Sequence, residues 1–150
     1  MKKGIVLIGM VLSTVYASAQ FIARVEVKED IPGICNKNEV YALFPTLKGQ
    51  EVPVCPVSKE EILKRLNSEV VFVKDNPKYK DKGMIGLFIN CKGEVVQCKM
   101  DNKTKNEELD YQIEKVFNSL GDWEPGKLDG NEVDTSELFS FTIKNGKFAF

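Results

Sequence analysis

The 150-residue sequence has no histidine at all. That absence removes Ser-His and Cys-His nucleophile pairs and the commonest zinc ligand. It has a single tryptophan, no Pro/Gly/Ser tract that would mark a linker, and no internal repeat. No apolar run reaches the roughly 20 residues of a confident membrane span. Surplus positive charge is also missing, with 21 Lys and Arg against 22 Asp and Glu. Phosphate binding needs a basic face, so nucleic acid is excluded as an expected partner. Acidic pairs occur at Glu60/Glu61 and Glu107/Glu108. They stand where helices begin, which explains them without acid-base chemistry. The expectation is a protein that is not an enzyme, with no catalytic residues, no cofactor and no metal.

The first nineteen residues carry a targeting pattern. Lys2-Lys3 is positive, Ile5 to Tyr16 is apolar, and Ala17-Ser18-Ala19 precedes Gln20 with the small-x-small spacing that signal peptidase accepts. This predicts a signal peptide over 1–19 cut between Ala19 and Gln20, no membrane span afterwards, and a protein of the periplasm or secreted. No cysteine follows the cut to take a lipid. Cleavage removes Lys2 and Lys3, leaving 19 basic residues against 22 acidic ones, a net charge near −3. The remaining length suits one domain with a modest core.

Phe21–Val27, Glu39–Phe44 and Glu51–Val57 read as short strands, with Thr46–Gln50 able to join the last two as a hairpin. Pro53 and Pro56 lack the ladder N–H and make that segment an edge or an irregular lead-in. Ser58-Lys-Glu-Glu61 is a capping box opening a helix with Ile62, Leu63 and Leu66 on one stripe. Met84–Met100 reads as two strands around a turn at Lys92-Gly93, where glycine supplies positive φ. Asn106–Leu120 is a helix with Leu109, Ile113, Val116, Phe117 and Leu120 inward and Asp110, Gln112, Glu114 and Lys115 toward water. Gly121 stops it. Glu137–Lys144 alternates with period two, so Phe139, Phe141 and Ile143 face inward.

This order resembles the C-terminal domain of the TonB family of energy transducers, in Bacteroidetes-like, stand-alone exported form. The matching residues are Gly83 before Ile85/Leu87/Ile89, the turn ending in Gly93, Leu109-Asp110 opening a helix, Trp123-x-Pro125-Gly126, and Gly130-x-x-Val133 before Phe139/Phe141/Ile143. The resemblance covers about half the chain. It implies an α+β fold over 58–150, a three-stranded antiparallel sheet with two helices packed on one face. A short β-rich extension over 20–57 precedes it. The last strand then lies beside the first strand of the hairpin with its other edge open. The Tyr-Pro pair usual before the first strand is replaced by Asn76-Pro77-Lys78-Tyr79.

Four cysteines, Cys35, Cys55, Cys91 and Cys98, form an even set that favours disulfides in an exported protein. A Lys92-Gly93 turn sets residue 91 against 94 and 98 against 87. Cys91 and Cys98 then lie beyond the roughly 7 Å bridging limit. Three pairings stay open: hairpin cysteines tied to Cys35 and Cys55, a local Cys35–Cys55 bridge with Cys98 a buried thiol, and Cys91–Cys98 rescued by a bulge.

Two functions are expected of such a chain. The resembled domain adds an extended segment of an outer-membrane TonB-dependent receptor to its open sheet edge, which would place peptide along Leu138, Ser140, Thr142 and Lys144. The alternative is a self-contained envelope accessory protein whose edge is capped by its N-terminal strands. Direct energy transduction is not expected, because no Pro-rich spacer or retained membrane helix is present. Gly93, Trp123, Pro125 and Gly126 are structural motif residues, although Trp123 is also readable as an aromatic platform.

Overall fold

The computed structural model describes residues 20–150. The predicted signal peptide lies outside the described residues. Among the described residues, no helix is long and apolar enough to cross a membrane.

The chain forms β1 (Ala23–Val25), β2 (Val40–Ala42) and β3 (Gln50–Glu51), then helices α1 (Lys59–Glu69) and α2 (Val71–Asp75). The hairpin β4 (Asp81–Ile89) and β5 (Val95–Asn102) leads to α3 (Glu107–Asn118). After it come β6 (Lys127–Leu128), β7 (Asn131–Glu132), β8 (Asp134–Lys144) and β9 (Lys147–Ala149). The expected three-stranded antiparallel sheet with two helices is overturned. One sheet has six strands in the order β1-β2-β8-β4-β5, with β9 also paired to β8, and a second has the order β3-β6-β7. The first sheet is mixed, since β2 runs parallel to β8 while the other pairs are antiparallel.

The additions have identifiable causes. Asn145-Gly146 takes φ values of 50° and 65°, the doubly positive turn that closes a two-residue hairpin, and it folds the chain end back as β9. Asp129-Gly130 does the same at 50° and 82° to join β6 and β7. The expected Thr46–Gln50 hairpin does not form. β2 pairs with β1 and β8, and β3 pairs with β6. Gln50 is buried instead, its amide donating to the Phe21 carbonyl and its oxygen accepting from the Phe44 N–H.

The central frame follows the hydrophobic pattern. β8 pairs with β4 from Asp81↔Ile143 to Ile89↔Thr135. Ile85, Leu87, Ile89, Phe141 and Ile143 turn inward onto Ile62 and Leu66 of α1 and Leu109, Ile113 and Phe117 of α3. Ser58 caps α1 by accepting from the Glu61 N–H, and Asn106 caps α3 by accepting from the Leu109 N–H. Three residues of α3 expected to face water bond inward instead. Asp110 accepts from Thr104, Gln112 from the Phe72 N–H, and Glu114 from the Met100 N–H. α2 was not expected either, because its β-branched residues disfavour a helix. Burial of Val70 and Val73 and the Phe72–Tyr79 edge contact at 5.0 Å hold it.

The β4–β5 turn differs by one residue from the expected one. Asn90 N–H bonds Glu94 and Gly93 N–H bonds Asn90, so the loop is Cys91-Lys92-Gly93 with glycine at φ 85°. A register shift between Phe88 and Ile89 cancels the slip, and Leu87 still faces Cys98.

Candidate functional site

β8 carries three different environments along its second edge. At its start, β2 covers Asp134 and Thr135. At its end, β9 covers Thr142, Ile143 and Lys144. Between them, from Ser136 to Phe141, no strand among the described residues pairs with it on this edge. Of the edge residues expected to receive a peptide, Thr142 and Lys144 are therefore occupied by the chain's own β9, while Leu138 and Ser140 remain uncovered.

Backbone direction follows from parity. Phe148 N–H donates to the Asn67 side-chain oxygen at 2.9 Å, away from β8. Lys147 and Ala149 consequently face β8, so Lys144 and Thr142 face β9. By the two-residue period, Ser140, Leu138 and Ser136 present N–H and C=O to the same side. Asn67 also blocks the outer edge of β9, so the gap in β8 is bounded rather than continued.

Below that gap lies a groove of about 520 Å³. Its walls include Val54, Cys55, Val57, Ile62, Trp123, Glu137, Phe139 and Phe150. The Pro53–Pro56 lead-in forms one side, held by paired backbone bonds between Val54 and Glu124 of 3.0 Å each. Trp123 is 5% exposed and stands edge-on to Phe139 at 6.2 Å. Its backbone N–H donates to the Gly93 carbonyl at 2.8 Å. A Cβ on Gly93 would clash with the Trp123 carbonyl oxygen, with the Pro125 ring at 3.5 Å. Gly126 is as tightly placed, with Thr135 2.6 Å from its virtual Cβ. Gly93, Trp123 and Pro125 thus meet where the hairpin loop docks onto the corner after α3, while Gly126 packs against Leu43 and Thr135.

Two of the residues that line the groove carry unusual polar groups. Trp123 Nε1 is, among the described residues, the one buried side-chain nitrogen or oxygen without a hydrogen-bond partner. Glu137 lies on the helix-facing side of β8, where burial alone pushes its carboxyl up to about 7. Cys55, a free half-buried thiol on the wall, is also raised by burial and stays protonated at neutral pH. The alternation in Glu137–Lys144 predicted which side chains face inward, but did not single out Glu137. A charged residue in phase with Phe139 and Phe141 was the available signal.

The cysteines form one bridge, Cys35–Cys91, which ties the hairpin loop to the N-terminal segment. Cys98 is a buried thiol pushed up to about 12 by desolvation. Cys91–Cys98 and Cys35–Cys55 do not pair. Around the bridge, Asp134 accepts from the N–H groups of Cys35, Asn36 and Cys91 at 3.2, 2.6 and 2.9 Å. Cys35, Cys91 and Asp134 bring three potential metal-ligand atoms together. The bridge engages both sulfurs and the backbone engages the carboxylate, so the cluster is a structural clasp.

No protein-family model, curated protein or solved structure matches this chain.

Proposed function

We propose that the protein is a non-catalytic peptide-binding module of the cell envelope that takes an extended segment into the Ser136–Phe141 gap by β-strand addition. The observation that carries this reading is the bounded run of unpaired edge beside an open groove. Backbone groups of Ser136, Leu138 and Ser140 supply donors and acceptors in register, and strand addition draws its affinity from such groups. The TonB-like motifs in the sequence suggest the class of partner, an extended receptor segment, with export to the periplasm or beyond. Because only a short edge is free and ordering a flexible peptide opposes binding, affinity on the order of micromolar is expected.

A second reading has its own support. β2, β9 and Asn67 already close both ends of the edge, as a self-contained accessory protein would require to avoid edge-to-edge pairing. Titrating the pentapeptide Val-Thr-Val-Thr-Val into isotope-labelled protein separates the two. Strand addition requires amide shifts centred on Ser136, Leu138 and Ser140, and their loss when the peptide backbone is N-methylated. No shift at millimolar peptide, or equal shifts from the N-methylated peptide, leaves the accessory reading.

A further inference from the structure

The end of the six-stranded sheet is attached differently from its centre. β1 and β2 lie outermost, beyond β8. β2 meets β8 over two residue pairs, Val40↔Asp134 and Tyr41↔Thr135, against nine between β4 and β8. The buried apolar residues of this end, Ile31, Val40, Tyr41 and Leu43, stand outside the core cluster that β4, β8 and the helices share. From Gln50 onward the chain is held separately, by β3 on β6 and by Val54 on Glu124. The densest tie of residues 20–49 to the body is therefore the clasp of Cys35–Cys91 and Asp134. Beside it stand the exposed Lys99–Glu29 pair at 3.1 Å, of a kind that contributes little, and the Asn90 amide donating to the Gly33 carbonyl at 2.9 Å. Cys35 is exposed and Cys91 half-buried, so a dithiol reaches the bridge from solvent.

We propose that the Cys35–Cys91 bridge is a redox switch: reduction by a dithiol releases residues 20–49, and β2 leaves the edge of β8. The free edge then grows from Ser136–Phe141 to Asp134–Phe141. The release does not depend on the peptide reading above; the longer edge is what it adds to that site.

The exchange balances in two steps. A thiolate of the dithiol attacks the exposed Cys35 sulfur to form a mixed disulfide, and the Cys91 sulfur leaves as a thiolate that takes a proton. The second thiol of the reductant then displaces Cys35, so the reductant ends as a disulfide and the protein carries two thiols. The bridge joins residues 56 apart in sequence. Cutting it returns conformational freedom to the open segment, and the entropy at stake grows with loop length. Asp134 does not make up the loss, because two of its three donors are the N–H groups of the bridged residues themselves. The central frame keeps its packing, since no residue of the core cluster comes from 20–49.

Hydrogen exchange of the full chain, with and without dithiothreitol, tests the switch, and alkylation of Cys35 and Cys91 verifies that the bridge is cut. On reduction the amides of β1 and β2 should exchange at least about tenfold faster, while Ile85, Leu87, Leu109 and Phe117 change by less than about twofold. Reoxidation should restore protection. The variant carrying Cys35→Ser and Cys91→Ser should show the fast exchange without reductant. Unchanged exchange of β2 after reduction would overturn the switch. Equal acceleration of β4 and α3 would overturn it too, by making the bridge a staple of the whole fold. The peptide Val-Thr-Val-Thr-Val-Thr-Val keeps this outcome apart from the peptide reading. Shifts that reach Asp134 and Thr135 only in the reduced protein support both. Fast β2 exchange with no peptide shift in either state supports the switch and rejects strand addition.

Discussion

Asp134 and Glu137 lie three residues apart on one strand, yet their surroundings are opposite. Asp134 is 2% exposed and its carboxylate accepts three backbone N–H bonds from two other segments. Glu137 is half-buried, and desolvation acts on it without compensation. Burial of an acid costs little where the fold brings donors to it and much where it does not. At the first position the polar group serves the fold, joining the N-terminal segment, the hairpin loop and β8. At the second the fold tolerates an acid without a hydrogen-bond donor on the wall of an open groove.

The largest expected effect breaks the satisfied side. Asp134→Ala leaves three N–H groups without their acceptor and should lower unfolding free energy by on the order of 4 kcal/mol, measured by denaturant titration. A loss below 1 kcal/mol would mean water replaces the carboxylate easily.

Removing the bridge with Cys35→Ser and Cys91→Ser should cost about 2–4 kcal/mol. Because bridge and carboxylate hold the same corner, the loss in the combined variant should be smaller than the two losses added. Strict additivity would show that the clasp is two independent devices.

The groove should respond with the opposite sign. Glu137→Leu is expected to stabilise the protein at pH 7 by roughly 2 kcal/mol, since it removes a carboxyl that burial disfavours. The pH dependence checks the cause. An acid whose folded pKa is near 7 holds its proton in the fold and loses it when unfolded. The native protein should therefore lose stability as pH rises from about 4.5 to 7 and level off above, relative to Glu137→Leu. A constant difference between the two proteins across that range would rule out desolvation of Glu137 as the source.

The smallest effect concerns the thiols. Cys55, on the groove wall, should alkylate slowly in the native protein, and Cys98 should not react without denaturant. Peptide that fills the groove should slow Cys55 further. Equal reactivity of the two would show that the helix side of the sheet opens as readily as the groove.

Local signals in the sequence determined the central frame. Periodicity placed α3 and the inward faces of β4 and β8, because side-chain direction in a helix or strand is set by the backbone repeat. Ser58 and Gly93 were readable for the same kind of reason, a cap acceptor and a positive φ being requirements of one turn of chain. Asn145-Gly146 and Asp129-Gly130 were equally local signals that announce the β9 and β6–β7 hairpins. What only the tertiary structure decided depends on partners far along the chain. The parallel pairing of β2 with β8, the choice of Cys91 as partner for Cys35, and the inward bonds of Asp110, Gln112 and Glu114 have no local signature. Nor does the contrast between Asp134 and Glu137. Both are acids near or in one alternating strand, and only the assembled chain determines which of them meets backbone donors and which is left on the wall of an open groove.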